Sequence, residues 1–185
     1  MVSVSPGKAD YMKAASVSME RLYGVRLSEI HQDLDPKLVR MDAARGAGET
    51  PEAYVGVLAT QYGLLARSAA QGLTDADLRS RNLRAAALLP VMLEHPEWQA
   101  IGDGALYASR DEGVFKMAPD LDNTGKVWGF SMSISIGAEL VHNGDRAAVE
   151  GGTDFERIGG GLDISGALKA YENRLQNPGL GRRMN

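Results

Sequence analysis

The sequence predicts an α+β fold: an N-terminal helical region, then a C-terminal antiparallel β-meander and a final helix. Three observations lead there. Apolar residues recur at helical spacing early in the chain, as in Met12, Ala15, Met19 and Leu22. Beyond Gly102 the period falls to two, most plainly where Phe130, Met132, Ile134 and Ile136 alternate with Ser131, Ser133 and Ser135. Helical spacing then returns in Ile164, Leu168, Tyr171 and Leu175. We expect a helical region over 1–102, a meander with its helix over 103–176 and a flexible tail over 177–185, folding as one cooperative domain.

The first helix is expected over 8–24, with Gly24 as its stop. Asp35-Pro36 sets up a second, short helix ending at Gly46, because Asp caps a helix and Pro suits its first turn. Thr50-Pro51-Glu52 repeats that signal before Val55, Leu58, Ala59, Tyr62 and Leu65. Thr74, with Asp75 and Asp77 behind it, starts a helix whose stripe is Leu78, Ala85, Leu89 and Met92. Pro90 removes a backbone donor and crowds the preceding turn, so a kink or break is expected near residues 88–90. Residues 95–98 read as another short turn or helix.

In the strand half, residues 105–109 and 114–118 read as a hairpin, and 127–136 as the clearest strand. Asn143-Gly144 suits a tight turn between 139–142 and 146–150, which completes an antiparallel meander. Gly151-Gly152 and Gly159-Gly160-Gly161 read as bracketing a flexible connection to the last helix.

Composition restricts the chemistry. The 185 residues contain no cysteine, which excludes disulfides, a thiol nucleophile and thiolate metal centres and accords with a reducing, cytoplasmic setting. No apolar run reaches the length of a membrane span. Net charge is −4, with 11 basic and 12 acidic residues in 1–100 and 9 and 12 in 101–185. That balance argues against nucleic-acid binding by bulk charge.

Several residue sets are candidates for function. Asp120, Asp122, Thr124 and Gly125 occupy the first, third, fifth and sixth places of an EF-hand-like loop, but Ser131 stands where a bidentate Glu is needed. The turn is thus either a divalent-cation site or a solvated hairpin connection. Asp111, Glu112, Asp120, Asp122 and Glu139 would hold a divalent ion for phosphodiester hydrolysis if the meander gathered them. Gly160 and Gly161, ahead of the last helix, would offer backbone N–H groups to a phosphate; a plain linker is the alternative. Arg79, Arg81 and Arg84 would bind phosphate or an acidic partner, or line a solvated flank. Tyr107, Phe115 and Trp128 are either partner anchors or core. His31, His95 and His142 fall in no recognised catalytic or metal motif.

The segment EGVFKMAPD at 112–120 resembles the strand and turn of ArdB/KlcA-type antirestriction proteins, and Gly129-Phe130-Ser131 echoes a following element of that family. The resemblance covers a small part of the chain and transfers no catalytic residue. It implies an accessory protein of a mobile genetic element that counters host defence by binding a protein, without a cofactor. The leading expectation is accordingly a non-enzymatic binding or inhibitory protein. The alternatives are a metal-dependent hydrolase or nuclease using the acidic turns, and a self-associating structural protein pairing through Phe130 to Ile136.

Overall fold

A computed structural model describes residues 7–30, 35–144, 146–152 and 154–178. The fold is α+β, and the chain divides into two compact units, Met1–Ala86 and Ala87–Asn185. The division falls inside a helix, upstream of the boundary at 102 read from the sequence. Among the described residues no helix is long and apolar enough to cross a membrane.

The first unit is helical. Helix α1 (Lys8–Tyr23) ends where Gly24 takes a left-handed φ of 71° and its N–H reaches Glu20 O. Helices α2 (Leu27–Ile30) and α3 (Asp35–Gly46) follow. Helix α4 (Pro51–Gln61) starts as its sequence predicts, with Thr50 Oγ1 accepting from Ala53 N at 3.2 Å. Tyr11, Ala15 and Met19 of α1 are buried, as are Tyr54, Val55, Leu58 and Ala59 of α4. The Tyr11 and Tyr54 rings lie 6.1 Å apart.

Helix α5 (Asp75–Glu94) begins with a reciprocal cap: Asp77 N donates to Thr74 Oγ1 at 3.1 Å and Thr74 N donates to Asp77 Oδ2 at 3.2 Å. It runs through Pro90 without the expected break. A proline costs one helical hydrogen bond there, and buried Leu88 and Val91 on either side favour continuation. Its buried face follows the expected stripe at Leu78 and departs from it at Asn82, which is fully buried, and at Met92, which is exposed. Asn82 Nδ2 donates to Tyr23 O at 2.7 Å and Leu65 O at 2.9 Å, and its Oδ1 accepts from Leu65 N at 2.8 Å. One amide therefore closes the end of α1 and the irregular 62–66 segment onto α5.

The second unit is built on a sheet ordered β1-β2-β3-β4-β7, all antiparallel: β1 (Gln99–Ala100), β2 (Leu106–Arg110), β3 (Gly113–Leu121), β4 (Val127–Ile136) and β7 (Glu156–Gly161). Strands β5 (Glu139–Asn143) and β6 (Arg146–Glu150) form a separate hairpin. The meander holds through β2, β3 and β4, and its last part is corrected: the hairpin leaves the sheet, and the glycine-rich stretch read as a flexible connection supplies the neighbouring strand. The φ of 76° at Gly137 redirects the chain before β5. Because β4 pairs with β3 along its length and with β7 over Phe130 to Ile134, it offers no open edge there for self-association.

Helix α6 (Ile164–Gln176) is capped by Asp163, whose Oδ1 accepts from Gly166 N at 2.9 Å. It packs on the sheet through glycines. A Cβ at Gly159 would stand 2.5 Å from Ala170 Cβ, and one at Gly161 would stand 2.9 Å from Gly166 Cα. That approach lets Ala167 and Tyr171 join Leu106, Phe115, Met117, Met132 and Ile134 in one core. Trp98 and Phe115 meet Tyr171 edge-on at 5.1 and 5.0 Å. Buried Arg174 then forms a two-pronged pair with Glu112 at 3.1 and 3.2 Å, fixing the helix end to the β2–β3 turn.

Two predictions follow from this packing. Gly159→Val should destabilise the sheet unit by about 2 kcal/mol in urea unfolding, whereas Gly56→Ala, whose added Cβ meets nothing within 4 Å, should stabilise α4 by about 0.5–1 kcal/mol. Asn82→Leu should cost about 3 kcal/mol or more, read from the helical circular dichroism, since it strands Tyr23 O and both backbone groups of Leu65.

Candidate functional site

The sheet has two unlike faces. On the α6 side, Phe115, Met117, Phe130, Met132 and Ile134 are buried. On the other side the register aligns Tyr107, Lys116, Ser133 and Arg157 in one row across four strands, with Ala118, Ser131 and Gly160 in the next. The period-two alternation of β4 sends its isoleucines and methionine to one face and its serines to the other.

That polar row is internally paired. Lys116 Nζ lies 5.5 Å from the centroids of both Tyr107 and Phe155 and 3.6 Å from Asp103. The Tyr107 hydroxyl donates to Asp103 at 2.5 Å, and burial, reinforced by that carboxylate, raises its pKa far above the ordinary phenol value. Tyr107 is thus a neutral, core-lining donor and not a surface anchor. Arg157 of β7 pairs with Asp120 of β3 at 3.3 Å, across the intervening β4.

The acidic turn is organised around its own backbone. Asp122 Oδ1 accepts from Thr124 N at 2.8 Å, Thr124 Oγ1 at 2.7 Å and Lys126 N at 2.9 Å. The Thr124 hydroxyl, followed by the Lys126 and Thr124 amides, holds the Asp122 carboxyl below its usual pKa, although the group is exposed. Thr124 spends its hydroxyl on Asp122, and Asp120 turns to Arg157. Glu112 is engaged by Arg174. The acids proposed for a hydrolytic cation are therefore spread over separate contacts, and no three His, Asp or Glu side chains gather in a metal-holding group among the described residues.

Gly160 and Gly161 lie within β7, opposite Ser131 and Phe130, rather than in a loop ahead of α6. Their lack of side chains has a packing explanation: a Cβ at Gly160 would stand 2.4 Å from Phe130 O. Arg81 donates to Gly63 O at 2.7 Å and to Asn82 Oδ1 at 2.7 Å, and Arg79 pairs with Glu29. The Arg79 guanidinium lowers the pKa of Glu29, mainly by hydrogen bonding. Arg84 is partly buried, so the three arginines do not form one exposed basic patch. His95 stands 3.8 Å from Glu97, His142 is exposed on β5, and His31 lies outside the described residues. Residues 179–185 of the expected tail also lie outside them.

The aromatic candidates separate clearly. Phe115 has no exposed area and Tyr107 only 3%, whereas Trp128 is 53% exposed. Leu162, which sequence reasoning did not single out, is 81% exposed. It precedes the Asp163 cap, the place from which an apolar residue ordinarily folds back onto the fourth helical position. That position is Ala167, and the staple does not form. Since Phe130 pairs with Gly161, Trp128 and Leu162 leave the sheet at the same end. No family model, curated protein or solved structure matched the chain.

The turn yields a pH prediction. The carbon resonance of the Asp122 carboxyl should titrate below the ordinary value of 3.8, and Thr124→Ala should move its midpoint upward. A depressed carboxylate favours the folded turn above its unfolded pKa and loses that contribution as pH falls through the folded one. The turn's amide shifts should consequently change on acidification below about pH 4. A wild-type midpoint at or above 3.8 would contradict the three-bond cradle.

Proposed function

We propose that the chain is a non-enzymatic binding or inhibitory protein whose contact surface is the end of the sheet marked by Trp128 and Leu162. The observation that carries this reading is the exposure of Trp128, 53% in a unit whose other large aromatics are buried or half-buried. An indole left in water forfeits burial worth roughly 2 kcal/mol or more, and tryptophan is the residue most enriched among side chains that dominate protein interfaces. Leu162 widens the apolar area at the same end.

The local likeness of residues 112–120 to antirestriction proteins supports a target within a host defence system, reached by a protein of a mobile genetic element. The catalytic alternative has less behind it, because Asp120, Asp122 and Glu112 each serve a different local contact.

Quantitative affinity capture with immobilised chain tests the reading. A partner retained by the wild type should be weakened about 30-fold by Trp128→Ala, roughly 2 kcal/mol, and further by adding Leu162→Ser, with the melting temperature unchanged. Equal retention by the double variant would rule out this surface. Turnover of a phosphodiester by the wild type, lost on Asp122→Asn, would replace binding by catalysis.

A further inference from the structure

At the other end of β4, about 27 Å from Trp128 for eight strand residues, the surface opens into a second feature. A depression of about 510 Å³ is lined by Ile134, Ile136, Asp154, Phe155 and Glu156. Its exposed lining is more polar than apolar; the apolar part comes from Ile136, which is 47% exposed, and half-buried Phe155. Its rim is acidic. Among the described residues neither the Asp154 nor the Glu156 carboxylate has a hydrogen bond or ion pair. Elsewhere in this unit Asp103, Glu112 and Asp120 are each matched to a cation.

Two unpaired carboxylates beside exposed isoleucine define a chemistry. A bare divalent cation needs six or more oxygens, and this lining supplies only two carboxylates around hydrocarbon. A lysine or arginine side chain fits both parts, since its stem packs on apolar surface while its head stays charged and partly hydrated. The volume exceeds what one ion needs and is enough for a side chain and its neighbour. We propose that this depression receives an extended basic segment of a protein partner, with an Arg or Lys between Asp154 and Glu156 and an apolar neighbour against Ile136 and Phe155. This surface is separate from the Trp128 end and does not rest on it.

The test is fluorescence polarisation of the full chain with a labelled peptide, Gly-Leu-Arg-Leu-Arg-Gly, alongside its Gln-for-Arg analogue. Saturable binding is expected for the basic peptide and none for the analogue. Asp154→Asn with Glu156→Gln, isosteric changes at exposed positions, should weaken binding about tenfold, Ile136→Ser should also weaken it, and Trp128→Ala should leave it unchanged. Failure of the wild type to bind, or equal affinity after both carboxylates are neutralised, overturns the proposal. So does tighter binding after deletion of residues 179–185, which would make the chain's own Arg182 and Arg183 the occupant, or a concentration-dependent dimer in light scattering that Ile136→Ser dissolves.

Discussion

The second unit depends on how closely α6 approaches the sheet. Gly159 and Gly161 on β7, with Gly166 on α6, remove the side chains that would hold the two apart, and the nearest built Cβ contacts are 2.5 to 2.9 Å. From that approach follow the burial of Ala167, the seating of Tyr171 between Trp98 and Phe115, and the reach of Arg174 to Glu112. Glycine costs conformational entropy in a strand, and here that cost is offset by a core that larger residues would prevent. The glycine run is therefore a packing surface.

The same strand decides what is left for function. By taking the place beside β4, β7 closes the edge over Phe130 to Ile134 and orients Arg157 towards Asp120. Its two ends then carry the surfaces that are not internally satisfied: Leu162 just past its last residue, and Asp154 with Glu156 around its first. Lys116, Tyr107 and Asp103 satisfy one another's polarity, with Lys116 over the Phe155 ring. A charged residue aligned with serines on a sheet face need not mark a ligand site; here it is a clamp that holds Phe155 against Tyr107.

Much of this was legible in the sequence where a local rule acts alone. Thr50 and Thr74 cap the helices their spacing announces, Gly24 ends α1, and the alternation of 127–136 gives both the strand and its faces. What escaped was decided by distant contacts. Residues 156–161 carry no alternating pattern, because their strand conformation comes from pairing with β4 and glycine has no side chain to signal it. The burial of Asn82 has no signal in the sequence, since nothing nearby shows that Tyr23 and Leu65 will need its amide. Aromaticity alone did not separate Trp128 from Phe115, because exposure depends on what the fold lays over each.

The central claim is that the glycine-rich segment is a structural strand joining β4 to α6. Amide hydrogen exchange resolved by residue in the native protein tests it most directly. The amides of β7 that point towards β4 should be protected to nearly the same degree as those of β4 and should open together with α6. Exchange of residues 156–161 at the rate of an unstructured chain, with β4 and α6 still protected, would contradict the account.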